Sequence, residues 1–491
     1  MSILTNLEPE KFFHYFEEIC SIPHGSRDTD RISDYLVRFA EDHDLKYIKE
    51  ECGNVIIFKD AVRTDMKEPV ILQGHIDMVC EKEEDCDIDF SKDGLRLMIE
   101  DGFVTADGTT LGADDGVAVA CMLAILDDDS IVHPPLECVF TIDEEIGMLG
   151  AAALDMSLLS GKTMLNIDSE EEGHFIVSCA GGAIAKAYFP ILRRGAQGER
   201  CRIVISGLIG GHSGVEVQMG RASSNALMAS LLKELLFVDD SMRLVSVDGG
   251  FKDNAFSIKT TAVVVSKNTQ LLEDEINGIF GDIISEYSET DPDIKLTFEK
   301  LVPGTEEYET LTDLQKSYPL DEMNNLSFIM AFSSLPSGIQ AMNSEDPTQV
   351  QTSLNLGILE TYSDNIFLEY CVRSSVDDEK MELIKDIELI AKSAGGNIET
   401  EGIYPGWQYD PDSKITKIMV DTYHELYGEY PEVEAIHAGV ECGFFTKGIK
   451  GLDTISFGPD IHDIHTFREK LDIESTKRTW KLILETLKKL S

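Results

Sequence analysis

Residues 71 to 79 read ILQGHIDMV, an apolar run that delivers Gly74, His75 and Asp77 at its end. In an extended chain, residues two apart point to the same side. The His75 imidazole can therefore bind a metal through one ring nitrogen while the Asp77 carboxylate orients it through the other. Three more segments put carboxylates just past an apolar stretch or at a helix start: LGADDG with Asp114 and Asp115, TIDEEIG with Glu144 and Glu145, and LNID with Asp168. Towards the other end, SFGPDIHDIHTFREK adds His462 and His465. A histidine and spaced acids, each arriving at the same end of successive buried strands, are what a two-metal hydrolase needs.

Each motif alone also has a plainer reading. His75 can be a satisfied strand-end histidine, and one of Asp114 and Asp115 can be an ordinary N-cap of the next helix. Adjacent acids between glycines are less ordinary, since a carboxylate there can reach outward and bridge two cations. Glu144 and Glu145 cannot both face one way in regular structure. A bend at the strand end lets one bind metal while the other approaches the attacking water. Either His462 or His465 can supply the late ligand, and only the joint occurrence is specific.

The elements that must position these residues are legible as a βα alternation. Residues 9 to 20 and 29 to 43 have helical spacing, VIIF at 55 to 58 and VILQ at 70 to 73 read as strands, and VAVACMLAIL at 117 to 126 reads as a buried helix. LECVFTI at 136 to 142, TMLNI at 163 to 167 and DTISFGP at 453 to 459 read as further buried strands. This predicts an α/β domain with a largely parallel sheet flanked by helices, whose ligands gather beyond the carboxyl ends of its strands.

The texture changes after GGAIAKAYFP at 181 to 190. Strands at CRIVISGL, TTAVVV and IFLEYCVRSS, a helix at 223 to 237 and a loop around PGTEEYETLT form a long middle region. The expectation is a split catalytic domain, 1–185 and 381–491, with an inserted α+β domain at 186–380.

Composition bounds the class. At 491 residues the chain exceeds the size at which single cores stop growing, so two domains are expected. The net charge of −48, from 90 acids against 42 bases, would repel a phosphate backbone and argues against a nucleic-acid partner. No run approaches ~20 uninterrupted apolar residues, and the start lacks a basic segment followed by an apolar one, so neither a membrane partner nor export is expected. Ten scattered cysteines without a CxxC pair suit reduced thiols in the cytoplasm.

The order HxD, GADDG, DEEIG, NID and a late histidine after FGP resembles the co-catalytic zinc aminoacylase and carboxypeptidase superfamily, in particular its aminoacyl-histidine dipeptidase branch. SIPHGS near residue 22, GGHSGVEVQMGR at 210 to 221, VRSS at 372 to 375 and HAGVECG at 437 to 443 extend the resemblance over nearly the whole chain.

The resemblance implies two zinc ions, with manganese or cobalt as alternatives. His75 and Asp168 would hold one ion, Glu145 and His465 the other, and Asp114 would bridge them through a cis Asp114–Asp115 peptide. Asp77 would orient His75, and Glu144 would be the general base. His212 would steady the oxyanion, often in the active site of the partner subunit of a homodimer. The inserted domain would then serve as lid and dimerisation domain. Asn254, Arg373 and the HAGVECG loop, through Gly439 and Glu441, would hold the carboxylate end of a small peptide.

Two positions depart from the family pattern. Phe467 stands where a proline usually follows the last metal histidine, which keeps His462 open as an alternative ligand, and NAFS at 254 to 257 replaces the more usual NAIP. The expected activity is hydrolysis of dipeptides, including Xaa-His and β-alanyl-histidine. The alternatives are an N-acyl amino acid deacylase or a tripeptidase on the same fold, and a catalytically silent, zinc-stabilised dimeric scaffold. An intact Glu144 argues against the scaffold, because a structural site needs no base.

Overall fold

The computed structural model describes residues 3–344 and 347–491. The chain divides into two compact units. One comprises Met1–Cys179, Trp407–Ile436 and Val440–Ser491, and the other Ala180–Gly406 with His437–Gly439.

The first unit is built on an eight-stranded sheet. Its order is Lys46–Lys49, Val55–Lys59, Leu136–Thr141, Val70–His75, Thr163–Asn166, Asp453–Ser456, His174–Cys179 and Glu432–Ile436. The four central strands, from Leu136–Thr141 to Asp453–Ser456, run parallel. Val55–Lys59 pairs antiparallel to Leu136–Thr141, so the sheet is mixed at its margins. Every residue of Val70–His75 and Leu136–Thr141 is buried, as expected for parallel strands covered on both faces.

Alternate residues of these strands enter different cores. Val70, Leu72, Cys138 and Phe140 pack with the helices Glu10–Cys20, Asp30–Asp42, Ala113–Leu126, Lys414–Tyr427 and Ile473–Lys489. Ile71, Val139 and Met164 pack on the other side with the short helices Leu149–Ala153 and Cys442–Gly448. This is the period-two alternation of a pleated sheet between two layers. Because the central strands are parallel, His75, Thr141 and Asn166 all lie at the same, carboxyl end of the strands.

A small antiparallel sheet, ordered Ile461–His462, Lys470–Asp472, Phe103–Ala106 and Leu97–Glu100, completes this unit. It ties the segment containing His465 to the strand that leads into residues 107 to 113, just before Asp114.

The second unit is an antiparallel sheet, ordered Lys295–Leu301, Glu199–Ser206, Thr260–Ser266, Arg243–Gly249, Val350–Thr361, Asn365–Ser374, Gly181–Pro190 and Asn397–Tyr404, with Gly338–Met342 paired to Val350–Thr361. Its helices Ser224–Val238, Thr269–Ile284, Glu322–Ser334 and Asp377–Ser393 share one apolar core with the sheet.

Both of its boundaries lie outside the expected 186–380. Gly181–Pro190 pairs with Asn365–Ser374 along its whole length and with Asn397–Tyr404 on its other side. Ile384, Ile387 and Ala391 are buried in the same core. Residues 180–185 and 381–406 therefore belong to this unit. The segment around PGTEEYETLT, expected as a loop, contains a short helix, Glu306–Glu309, capped by the Thr305 side chain accepting the Tyr308 N–H. Among the described residues, no helix is long and apolar enough to cross a membrane.

Candidate active site

The carboxyl end of the central strands in the first unit brings five of the sequence-selected residues together. His75, the last residue of its strand, has one ring nitrogen, Nε2, 3.1 Å from Asp114 Oδ1 and 3.7 Å from Asp168 Oδ1. His465 Nε2 lies 3.1 Å from Asp114 Oδ2 and 3.0 Å from Glu145 Oε2. Two groups able to hold a metal ion result, His75–Asp114–Asp168 and Asp114–Glu145–His465, with Asp114 common to both. The Asp114–Asp115 peptide is cis, as the family resemblance implies.

Asp77 sits behind this cluster with its carboxylate buried. Its Oδ1 is 3.4 Å from His75 Nδ1 and accepts the Glu144 N–H at 2.9 Å. Its Oδ2 accepts from Ser26 Oγ at 2.8 Å and the Glu145 N–H at 3.4 Å. Burial alone would raise the Asp77 pKa, but the contacts to His75 and these donors hold it below the usual carboxylate range.

Two acids in front of the strands, Asp168 and Glu144, are pushed the other way. Burial, followed by nearby acids, lifts Asp168 to about 7 and Glu144 well above an ordinary glutamate, against the opposing pull of His75. Contacts to Asp114 and Glu145 raise His465 to about 10. Buried acids crowded on each other in this way lack positive charge. Glu145 Oε1 is buried without any hydrogen-bond partner, an orphaned anionic oxygen that a bound cation would satisfy. The imidazole and carboxylate donor set fits divalent zinc, manganese or cobalt.

His462 takes no part. It lies exposed in the strand Ile461–His462, its ring edge against Phe103 at 5.6 Å, and belongs to neither ligand group. It pairs with Lys470 in a short antiparallel ladder and contributes to neither ligand group, so the expectation of an alternative ligand is corrected. Phe467 occupies the turn after His465 and leaves that histidine in its group.

Glu441 is also placed differently from its expected role at the substrate's carboxylate. It is 0% exposed, and its Oε2 accepts from Gln73 Nε2 at 2.5 Å and Thr141 Oγ1 at 2.7 Å. Gln73 Oε1 in turn accepts from Asn166 Nδ2 at 2.6 Å. Fully buried and acidic, Glu441 ties strand ends together and offers no surface to an anion.

The second unit gathers its own cluster. His212 Nδ1 accepts the N–H groups of Gly214 at 3.1 Å and Val215 at 3.2 Å, so a neutral ring carries its proton on Nε2. Burial, then the Arg373 charge, lowers its pKa and favours that neutral form. Arg373, 7% exposed, donates from Nη1 to Tyr404 OH at 3.2 Å, and its Nε is buried without a partner. His437 Nε2 lies 2.8 Å from Ser353 Oγ, and burial pushes its pKa down to about 4.

A Cβ on Gly214 would lie 2.6 Å from His437 O, 2.9 Å from His212 Cε1 and 3.1 Å from Arg373 Nε, so these four residues crowd one point. Asn254 borders it through its carbonyl, which accepts the Ser213 N–H at 2.8 Å. Gly439 belongs to the same unit through the segment His437–Gly439.

Residues 71–489 match the model of Peptidase family M20/M25/M40. The chain belongs to this family. As an M20/M25/M40 peptidase it is a hydrolase of peptide bonds. It is 32% identical, over 100% of its length and 99% of the relative's, to the cytosol non-specific dipeptidase of Escherichia coli (strain K12). Its fold superposes on the aminoacylhistidine dipeptidase of Vibrio alginolyticus with a TM-score of 0.93 and 34% identity, covering 99% and 98% of the two chains. Aminopeptidase PepT from Bacillus cereus, at 16% identity and a TM-score of 0.57 with 99% of each chain covered, shares the fold.

Within this M20/M25/M40 chain, the motifs did not single out Ser26, Gln73, Asn166, Ser353, Tyr404, His437 and Glu469, although several lie inside segments that were quoted. Ser26 ends SIPHGS and Glu469 follows His465 by four residues in HTFREK. The partners of these two, Asp77 and Leu111, are more than 50 residues away, and such contacts leave no local spacing to read.

Proposed function

We propose that the chain is a metallo-dipeptidase that cleaves unblocked dipeptides, Xaa-His and β-alanyl-histidine among them, at a centre of two divalent ions, zinc first. The observation that carries this reading is that one carboxylate, Asp114, belongs to both ligand groups. The orphaned Glu145 Oε1 and the mixed imidazole and carboxylate donors support it. The full-length likeness to two proteins named as dipeptidases supports the substrate class.

In this reading His75 and Asp168 would hold one ion, Glu145 and His465 the other, and Asp114 would serve both. Bound there, divalent ions would polarise the scissile carbonyl and make a nearby water more acidic. Glu144 takes a proton from the attacking water as the water's oxygen bonds to the carbonyl carbon, then delivers it to the amine nitrogen as the C–N bond breaks. Asp77 keeps the His75 ring turned with Nε2 forward. His212 donates its Nε2 proton in a hydrogen bond to the carbonyl oxygen as negative charge develops there. Arg373, with Asn254 and the Gly439 segment beside it, holds the free C-terminal carboxylate by charge-assisted hydrogen bonds. The second unit acts as lid and dimerisation domain of a cytoplasmic homodimer.

A panel of free, C-terminally amidated and N-acetylated dipeptides assayed with Zn2+ tests the reading. Free dipeptides should be cleaved at least about ten times faster than amidated ones, from the loss of one charge-assisted hydrogen bond. Equal rates on amidated substrates, or preference for N-acetyl amino acids, would replace the dipeptidase with a longer-peptide hydrolase or a deacylase.

A further inference from the structure

We propose that Glu469 is a positioning residue for Asp114, acting by gripping the main chain of residues 111 to 114. Its side chain is buried, 2% exposed. Oε2 accepts the N–H groups of Leu111 at 2.8 Å and Gly112 at 3.0 Å, and Oε1 those of Ala113 at 2.7 Å and Asp114 at 3.4 Å. Four successive backbone N–H groups aimed at one anion form the kind of concavity in which proteins bind phosphate and other small anions. Here the occupant is the chain's own carboxylate. Gly112, at φ +67°, supplies the left-handed turn that curves the cradle.

Asp114 needs such a grip because nothing regular fixes it. Its backbone (φ −84°, ψ 104°) and that of Asp115 (φ −114°, ψ 38°) are not helical, although the helix Ala113–Leu126 is counted from just before them. The aim of the Asp114 carboxylate, between His75 Nε2 and His465 Nε2, is set by the chain on its two sides: Asp115 is tied by its carboxylate, which accepts the N–H groups of His75 and Ala118 at 3.2 Å each, and residues 111 to 114 are held by Glu469. Glu469 is itself held by main chain: its N–H donates to Thr466 O at 3.1 Å, and its carbonyl accepts from Thr105 Oγ1 at 3.1 Å. The next residue opens the strand Lys470–Asp472, paired with Phe103–Ala106. One short turn therefore presents His465 at its start and the anchor of Asp114 at its end.

This inference rests on the reading in which Asp114 joins two ions. The test uses full-length protein, stripped by chelation and titrated calorimetrically with Zn2+, together with kinetics at saturating Zn2+. Glu469→Gln keeps the shape but turns an NH2 donor towards backbone donors. It should bind at least one Zn2+ about 10-fold more weakly, within the 10–100-fold range of outer-shell changes, and lose a similar factor in kcat with KM little changed. Its metal-free melting temperature should stay within about 4 °C of wild type.

Glu469→Asp, which keeps the charge and shortens the reach, should fall between the two and decides the matter if Glu469→Gln does not fold. Wild-type Zn2+ affinity in a folded variant, or failure of both variants to fold, would overturn the proposal. A wild-type chain that binds fewer than two Zn2+ would overturn the two-ion reading itself and this inference with it. Two sites in wild type and two equal sites in Glu469→Gln would overturn the role of Glu469 alone.

Discussion

Asp77 Oδ1 lies 3.4 Å from the ring nitrogen of His75 and accepts the backbone N–H of Glu144 at 2.9 Å. Asp77 thus meets the ring nitrogen of a candidate metal ligand with its carboxylate and, at 3.0 Å, with its carbonyl oxygen, while the carboxylate also fixes the path of the chain that bears the candidate base. Asp77→Ala should accordingly lower both metal affinity and kcat, each by about 10–100-fold. Metal content by mass spectrometry and steady-state kinetics check this, and a loss confined to KM would refute it.

Glu144→Ala should abolish turnover, by at least about 100-fold, while leaving both metals bound, because the residue handles protons and belongs to neither ligand group. Loss of one metal equivalent from the purified variant would mean that Glu144 and Glu145 have exchanged roles.

Chelation should abolish activity, and Zn2+, Mn2+ or Co2+ should restore it. The holoprotein should also melt higher than the stripped chain, since ions that bind only the folded state add stability by mass action. Activity that survives exhaustive chelation would exclude the two-ion reading.

His212→Ala should cost about 100–1,000-fold in kcat, the usual cost of losing one oxyanion donor. His212→Gln, which retains an N–H donor, should recover part of it. Unchanged kcat/KM in His212→Ala would remove the residue from the reaction.

Arg373→Met should cost about 1.5 to 3 kcal/mol of transition-state binding on free dipeptides, or one to two decades in kcat/KM, and much less on amidated ones. An equal loss on both substrates would assign Arg373 to the packing around Gly214 instead of to the substrate.

The sequence exposed what has a local period. The buried strands at 70 to 75 and 136 to 141 show as unbroken apolar runs because both faces are covered, and the acids that end them stand out against that background. Unit boundaries were less visible, since membership of Asn397–Tyr404 is decided by its pairing with a strand some 200 residues earlier. Glu441 was misread for a related reason. Beside glycines in a loop motif it looks available to a ligand, and only its burial against Gln73 and Thr141 reveals otherwise. The choice between His462 and His465 likewise depended on a two-residue strand that no spacing announces.

His75 ends the strand Val70–His75, and Asp168 follows by two residues the end of its parallel neighbour Thr163–Asn166, to which that strand is hydrogen-bonded. The separation of the two strand ends is thus set by the sheet's own repeat, roughly 4.8 Å between strands, and works as a caliper that exists before any ion arrives. His465 has no such gauge: it sits in a turn with a left-handed backbone, φ +58°, between two short strands. The two ligand groups therefore differ in stiffness. The half built on the sheet should keep its shape when stripped, and the half that depends on His465 should relax first and release its ion first.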